Sequence, residues 1–255
     1  MEHTRPAQST ETTTSPEHYF RLWSPDATAA RVHVRRPHEQ QDSSSSRGHS
    51  SSVLPESTPT ESHDITSDAD TVIYPLHRTG EWWISDIPAH PGDRYAFSIT
   101  TDPAANHDTE STKDSDAIEW VGPFPDPCSE RQPDGVHGFS EIWEPTYEFT
   151  CTQWRGRPLE GSILYELHVG TFTPEGTFDG LIAKLPYLKD LGVTTIELMP
   201  VAPFGGTRNW GYDGTNWFAV QESYGGPDGL RKLVDEAHQH GMAVCLDVVY
   251  NLSLI

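Results

Sequence analysis

Apolar and polar residues alternate in short runs over the first hundred residues of the chain. In residues 94–99, for example, the apolar side chains Tyr95, Phe97 and Ile99 fall on one face. Alternation of this kind is typical of half-buried β-strands. The runs that show it are 19–23, 31–35, 71–76, 82–85 and 94–99, and turns rich in Pro and Gly lie close to them. Together they predict a small β-sandwich over residues 18–100.

Polar stretches interrupt this pattern. Residues 1–17 and 36–70 consist largely of Ser, Thr, Glu, Asp and Pro. Such segments bury too little apolar surface to offset the entropy lost on ordering, so we expect a disordered tail and a disordered insert. Residues 101–161 begin with another polar loop and continue as Pro-, Gly- and Trp-rich chain with little periodicity. This segment is predicted to be an irregular connector.

The pattern changes from residue 162 onward. Apolar runs at 163–169, 193–200 and 242–250 predict buried strands, and helical repeats lie between them. The helical positions are Leu181, Leu185, Leu188 and Leu191 in the first repeat and Leu230, Leu233, Val234 and Ala237 in the second. Gly192 and Gly241 end these helices, and Pro186 is expected to kink or delay the first. Strands that alternate with helices predict parallel pairing with right-handed crossovers, in a β/α barrel or a doubly wound sheet.

The composition narrows the choice of partners and location. The formal net charge is −21, and lysine occurs only at Lys113, Lys184, Lys189 and Lys232. Such a chain repels the phosphates of nucleic acids, so these are excluded as partners. No apolar run approaches the roughly 18 residues of a membrane span, and the polar N-terminus lacks a secretory signal. A cytoplasmic protein without a membrane partner is expected, and the sequence carries no signal for its oligomeric state.

The cysteines and glycine pairs point to no metal or cofactor. Cys128, Cys151 and Cys245 are odd in number, widely spaced and without the ligand spacing of a metal site. They are expected to be small buried side chains of a reduced protein. The glycine pairs at 205–206 and 225–226 match neither a phosphate-binding loop nor a dinucleotide fingerprint. We therefore expect no metal and no cofactor.

Four long segments after residue 162 carry a family pattern. They read YELHVGTFTPEGTFDG from Tyr165, GVTTIELMPVAPF from Gly192, WGYDGTNWFAVQESYGGPDGL from Trp210 and AVCLDVVYN from Ala243. In this order they resemble the start of the catalytic barrel in the α-amylase family of glycoside hydrolases. The resemblance implies a multidomain chain with an N-terminal β-sandwich. Residues 162–255 would then be the first three β/α units of a truncated (β/α)8 TIM barrel.

The resemblance leaves two subgroups of that family as alternatives. The connector sequence QPDGVHG and the run from Val201 to Gly206 favour the hydrolases that release trehalose from maltooligosyltrehalose. Glycogen branching enzymes are the alternative, although a His-Pro pair usually precedes their Trp-Gly-Tyr. The substrate that the resemblance implies is maltooligosyltrehalose or another α-glucan. Outside the enzymes, a non-catalytic glucan-binding remnant is the competing hypothesis.

The resemblance places the catalytic groups outside this chain. Retaining hydrolysis of an α-glucosidic bond uses two carboxyl groups about 5–5.5 Å apart. In the family, the nucleophilic Asp follows strand four, the acid Glu follows strand five and a third Asp follows strand seven. All three are expected beyond residue 255, so no catalytic residue is assigned here. The family has His after the residue matched by Asn251, but this chain has Leu252. A truncated reading frame that is inactive alone is therefore expected.

The resemblance also implies sugar-binding residues within the chain. Tyr212 matches the tyrosine that stacks under the glucose ring beside the cleaved bond. Asp247 and Asn251 match the first and fifth residues of the family motif Asp-x-x-x-Asn-His, and Asp247 would support the site through hydrogen bonds. His168 is a further candidate, because it stands at the expected end of the first strand. Trp210, in the same motif as Tyr212, is a weaker aromatic candidate.

Three other residues are weaker candidates. Glu166 and Glu197 lie within predicted strands, where alternation decides whether each faces the barrel or the helices. Both are expected to have structural roles. Trp217 is a further aromatic residue in the loop that contains Tyr212, and a role in sugar binding or in the core is equally expected.

Overall fold

The computed structural model describes residues 18–37, 70–102 and 118–249. The predicted tail 1–17, nearly all of the insert 36–70 and most of the polar loop that opens the connector lie outside these ranges. Asn251 also lies outside them. Within the described ranges the chain forms two sheets, one antiparallel and one parallel.

The antiparallel sheet has seven strands. They are β1 (His18–Trp23), β2 (Ala29–Arg35), β3 (Val72–Thr79), β4 (Trp82–Ala89), β5 (Arg94–Thr100), β6 (Val121–Phe124) and β7 (Ser140–Glu141). Their order is β1-β4-β3-β2-β5-β6, and β7 also pairs with β5. Five of these strands coincide, within a few residues, with the alternating runs of the sequence. The short β6 and β7 fall within the segment that was expected to be irregular.

This sheet curls back on itself around its own core. Four strand intervals separate β1 from β5, which would place them about 19 Å apart in a flat sheet. Yet the rings of Phe20 on β1 and Tyr95 on β5 have centroids only 5.3 Å apart. The inner face of the curled sheet therefore encloses a single apolar cluster, to which Val32, Leu76 and Phe97 also contribute.

The connector covers the outer face of the central strands. The Arg31 guanidinium lies 4.1 Å from the centroid of the Trp120 ring, and Arg35 lies equally close to Phe139. Beneath this layer His33 is buried and hydrogen-bonded to Ser98, with 2.8 Å between Nε2 and Oγ. Polar and aromatic groups of the connector thus replace solvent on the outer side of β2 and β5.

The second sheet is parallel and has helices on one side. Its strands are β8 (Leu164–Leu167), β9 (Thr195–Leu198) and β10 (Ala243–Leu246), in the order β10-β9-β8. The helices are α1 (Val169–Phe172), α2 (Phe178–Ile182), α3 (Leu185–Asp190) and α4 (Gly226–Gln239), and a 3-10 turn covers Glu222–Tyr224. The predicted parallel pairing is confirmed by the register of both strand pairs. Within the described residues, no helix is both long and apolar enough to cross a bilayer.

The two faces of the parallel sheet differ in character. Leu167, Ile196 and Leu198 point to the helices and join the buried core there. Glu166 and Glu197 are register partners on β8 and β9. Because side chains alternate along a strand, these two carboxylates project from the opposite face, the side that faces inward in a β/α barrel.

The first helical repeat is divided in two. Pro186 stands in the first turn of α3, after a break at residues 183–184, which confirms the delay predicted from this proline. The expectation that Leu191 shares the buried face was wrong, because its side chain is 57% exposed. Leu191 stands six positions after the buried Leu185 of α3, about 120° short of two full turns, so it points away from the core.

The cysteines are free thiols, but they are not uniformly buried. Cys128 and Cys245 are exposed and Cys151 is partly buried, so the expectation of small buried side chains was wrong for the first two. Cys245 is the register partner of Glu197 and therefore shares the open face of the sheet with it. Cys128 lies in a turn of the connector, where its backbone N–H donates to the carboxylate of Asp126 at 2.8 Å.

Two aspartates fasten the end of the connector to α4. Asp228 accepts hydrogen bonds from the side chains of Trp143 and Thr146. Asp235, which is fully buried, accepts bonds from Tyr147 Oη at 2.8 Å, Thr150 Oγ1 at 2.7 Å and the Cys151 backbone N–H at 2.8 Å. The segment 143–151 is thereby tied along one side of the helix, since Asp228 and Asp235 are two turns apart.

Candidate functional site

The carboxyl ends of the three parallel strands meet at one edge of the sheet. His168 directly follows β8, Pro200 lies just beyond β9, and Asp247 directly follows β10. The Asp247 backbone N–H donates to the Leu198 carbonyl at 2.8 Å, which continues the sheet register one residue past β10. In β/α folds this is the edge at which functional groups gather.

One loop, residues 209–213, crosses all three strand ends. Its Asn209 carbonyl lies 2.7 Å from Nε2 of His168, and its Tyr212 hydroxyl lies 2.6 Å from the Asp247 carboxylate. Between them, Gly211 passes so close to Pro200 that a Cβ would overlap the proline carbonyl oxygen. The loop is therefore held at β8, β9 and β10 by three separate contacts.

Asn209 organises this loop from within, a role that the sequence reasoning missed. Its side-chain oxygen accepts from the Gly211 backbone N–H at 2.7 Å, and its amide nitrogen donates to Asp213 at 2.9 Å. Asn side chains often bond the backbone two residues on in this way. The Asn-x-Gly spacing was therefore a local signal that could have identified the turn.

The hydrogen bond between Tyr212 and Asp247 stabilises the protonated form of the tyrosine. This bond, together with burial and the negative charges of Asp247, Glu166 and Glu197, raises the pKa of Tyr212 to about 12. At neutral pH the hydroxyl is protonated, as in an ordinary tyrosine, and donates to the carboxylate. Tyr212 and Asp247, which belong to separate segments of the family pattern, are thus hydrogen-bonded to each other.

His168 acts as an anchor for the loop. A carbonyl oxygen only accepts hydrogen bonds, so Nε2 carries a proton and donates to the Asn209 carbonyl. Nδ1 is then free to accept from the Thr171 hydroxyl, 3.2 Å away. The Tyr224 hydroxyl lies 3.1 Å from Nε2, and the two rings meet edge to face. Both ring nitrogens of His168 are thus occupied by the protein.

The loop separates two cavities. One has a volume of about 590 Å³ and is lined by His168, Gly170, Thr171, Met199, Thr207, Arg208, Asn209 and Trp210. The other has a volume of about 230 Å³, and its walls include Tyr212, Trp217 and Asp247. The structure thus places His168 with Trp210, and Tyr212 with Asp247, on different cavities. The Trp210 side chain is 75% exposed.

The larger cavity places an aromatic side chain beside polar ones. Its rim combines an exposed indole with hydroxyl, amide and guanidinium groups. Indole faces pack against the C–H face of a sugar ring, while polar side chains take its hydroxyls. Among the residues that the structure describes, no group of three or more His, Cys, Asp or Glu is arranged to hold a metal ion.

A family profile and several relatives match the chain. The profile for the catalytic domain of alpha amylase matches residues 109–253. The chain is 60% identical over 127 residues to malto-oligosyltrehalose trehalohydrolase of Saccharolobus solfataricus. The matched residues make up 50% of the chain and 23% of that relative. It is 43% identical over 192 residues to the trehalohydrolase of Mycobacterium tuberculosis (strain CDC 1551 / Oshkosh), covering 73% of the chain and 30% of the relative.

More distant similarities extend to a branching enzyme and a crystal structure. A 1,4-alpha-glucan-branching enzyme of Debaryomyces hansenii is 40% identical over 120 residues, covering 44% of the chain and 17% of that enzyme. An alpha-amylase-like protein of Salmonella typhimurium superimposes with a TM-score of 0.66 at 32% identity, covering 93% of the chain and 32% of that structure. The chain spans less than a third of the length of each of these proteins.

Proposed function

The chain belongs to the α-amylase family of glycoside hydrolases, and on that premise we propose that it is the N-terminal part of a malto-oligosyltrehalose trehalohydrolase. The reaction is retaining hydrolysis of the α-1,4 bond next to the terminal trehalose unit, with release of trehalose. The observation that carries the proposal is the Tyr212–Asp247 pair at the carboxyl edge of the parallel sheet, joined at 2.6 Å. The proposal is supported by the family motif, in which Tyr212 matches the tyrosine that stacks under a glucose ring.

The proposed architecture is a β-sandwich followed by the first three β/α units of a (β/α)8 barrel. Two observations support it. The curled antiparallel sheet brings β1 against β5, as two packed layers would. Within residues 162–249 the helices lie on one face of the parallel sheet, and its other face carries Glu166, Glu197 and Cys245, of which Glu166 and Cys245 are exposed. An inward-facing barrel surface has this arrangement before the remaining strands close it.

In this proposal the Tyr212 ring lies against the C–H face of a glucose unit. Its hydroxyl is held by one oxygen of Asp247, Oδ2. The second carboxylate oxygen is then available to accept from a sugar hydroxyl. The close contact of Gly211 with Pro200, and the anchoring of Asn209 by His168, keep the tyrosine ring in place before the substrate binds. Such preorganisation reduces the entropy lost on binding.

Bond cleavage is assigned to the remainder of the barrel. Retaining hydrolysis needs a nucleophilic carboxylate and an acid about 5–5.5 Å apart, and the family pattern places these after strands four and five. Residues 162–249 would therefore build the sugar-binding floor. Glu166 and Glu197 lie below it, and their charges contribute to the raised pKa of Tyr212 after the hydrogen bond to Asp247 and burial.

A branching enzyme is the second candidate. Its support is the 40% identity to the Debaryomyces enzyme over 120 residues. The higher identity to trehalohydrolases favours hydrolysis, as does the absence of a His-Pro pair between Val201 and Gly206.

The experiment uses both the 255-residue polypeptide and the longest reading frame that contains it. The longer protein should release trehalose from maltooligosyltrehalose, and the 255-residue chain alone should release none. In the longer protein, Tyr212→Ala should lower kcat/KM by at least about tenfold, because a stacking platform is removed. Tyr187→Ala, which truncates an exposed tyrosine on α3, is the matched control. Formation of α-1,6 branches without trehalose would establish the branching enzyme instead.

A further inference from the structure

Two tryptophans stand side by side on the outer face of the antiparallel sheet. Trp23 on β1 and Trp82 on β4 are register partners, so their Cβ atoms are about 4.5–5.5 Å apart. Their side chains are 55% and 40% exposed, although the neighbouring Leu22 and Trp83 are buried in the core. Alternation along each strand thus directs Leu22 and Trp83 inward and presents both indoles of the Trp23–Trp82 pair to solvent.

This part of the sheet is left open by the rest of the described chain. In the part of the connector that the structure describes, Trp120 packs on Arg31 and Phe139 on Arg35, so the connector covers the outer face over β2. Tyr19, two strand positions from Arg21 on β1, is also 38% exposed. Large aromatic side chains that are grouped on a surface mark a binding site more often than aromatic residues that stand alone.

Both indoles are held in place by polar neighbours. Nε1 of Trp23 donates to the Glu81 carboxylate at 3.2 Å. The Arg21 guanidinium lies 4.7 Å from the Trp82 ring centroid and covers one face of that ring. The open indole surfaces are therefore fixed before any ligand arrives, and charged groups able to bond hydroxyls stand at their edge. We name Arg21, Trp23, Glu81 and Trp82 the tryptophan platform.

We propose that the tryptophan platform is a second binding site for an α-glucan chain, separate from the site at Tyr212. Consecutive sugar units would pack their C–H faces on the two indoles, and Glu81 and Arg21 would form hydrogen bonds with the sugar hydroxyls. A neutral polymer fits the charge of the molecule, because a chain with a net charge of −21 repels polyanions. The choice of an α-glucan rests on the proposed function. The platform would raise the local concentration of substrate at the barrel.

Calorimetric titration of the 255-residue protein with maltoheptaose tests this proposal. The wild-type chain should bind it, and the double variant Trp23→Ala/Trp82→Ala should bind at least about tenfold more weakly, as expected when stacked aromatic anchors are removed. Trp23→Phe/Trp82→Phe, which keeps aromatic faces, should retain most of the affinity. Tyr187→Ala is the matched control for loss of an exposed aromatic ring. Circular dichroism of each variant checks that the sheet is folded.

Separate variants distinguish failure of the platform from failure of the proposed function. If Tyr212→Ala abolishes binding and the platform variants do not, all binding belongs to the barrel edge and the platform proposal is wrong. Wild-type protein that binds no maltoheptaose at millimolar concentration also overturns it, as does equal binding of cellohexaose. If the longer protein releases no trehalose while the platform still binds maltoheptaose, only the assignment of the reaction fails. A platform that binds in the 255-residue chain but not in the longer protein would be a domain contact, and the proposal would be wrong.

Discussion

At the scale of single residues, Gly211 decides whether the candidate site can form. Its φ of +99° lies in the region that residues with a Cβ rarely adopt. Its α-carbon also lies against the Pro200 carbonyl, which leaves no room for a side chain. Because Tyr212 follows immediately, the position of its ring depends on how closely the loop approaches the end of β9.

We predict that Gly211→Ala destabilises the fold by about 3 kcal/mol, and that Gly206→Ala costs only about 1 kcal/mol. Gly206 also has a positive φ, +78°, but open space surrounds the position of its Cβ. The Gly206 variant therefore measures the cost of backbone strain without any steric overlap. Urea unfolding gives the two free energies. Hydrogen exchange in residues 209–213 should increase in the first variant only. Equal costs for the two variants would show that the contact with Pro200 is unimportant.

At the scale of elements, the connection between segment 143–151 and α4 depends on two carboxylates. Burial alone would raise the pKa of Asp235, but hydrogen bonds from Cys151, Thr150 and Tyr147 outweigh it and hold the pKa well below its usual range. Burial and, after it, the hydrogen bond to Asp235 raise the pKa of Tyr147 to about 12. The segment therefore docks on an ionised aspartate, which is stable when buried only because so many donors surround it.

We predict that Asp235→Asn lowers the free energy of unfolding by about 3 kcal/mol, because an amide cannot accept from all of these donors. Asp190→Asn, at an exposed position in the last turn of α3, should change it by less than about 0.5 kcal/mol. Limited proteolysis should then cut residues 143–151 in the first variant before any other described segment. Undiminished resistance to protease would mean that apolar packing holds this segment.

At the scale of the whole molecule, an ionic network joins the two sheets. Arg131 in the connector contacts Glu222, before α4, at 2.7 Å and Glu141, on β7, at 2.9 Å. Arg94 on β5 completes the network through Glu141 at 2.7 Å. These side chains are partly exposed, so the network orients the two parts of the molecule more than it stabilises them.

The acid sensitivity of the molecule should have two stages. Burial, together with the charge of Arg31, lowers the pKa of His33 to about 4 in the folded chain, against about 6.5 when unfolded. Between these values the unfolded chain binds a proton that the folded chain does not. Stability is therefore lost as pH falls through this window, by up to about 3 kcal/mol. Asp235, whose folded pKa is depressed, adds a further loss below the ordinary carboxyl range.

Urea denaturation at a series of pH values checks this prediction. His33→Gln should flatten the dependence between pH 6.5 and 4, even if it lowers stability throughout, because the titrating group is gone. His137→Gln removes an exposed histidine and should leave the slope unchanged. A slope that survives His33→Gln would assign the acid sensitivity to other groups.

The elements and the family could be read from the amino-acid sequence, because both are recorded in neighbouring residues. Alternation located β1 to β5 to within a few residues, and helical spacing with Pro186 located the break before α3. The motif around Tyr212 and Asp247 was readable in the same local way. The two-residue strand β7 left no such trace, because a pairing that short is set by the strand it meets.

How these elements combine could not be read from the sequence and became visible in the folded chain. The bond between Tyr212 and Asp247 spans 35 positions, and that between His168 and Asn209 spans 41. The curl that brings β1 onto β5 and the open face that carries Glu166 and Glu197 likewise depend on pairing across long separations. Periodicity reports which side of an element is apolar. What that side meets depends on the path of the chain between elements, which is fixed only when the whole core packs.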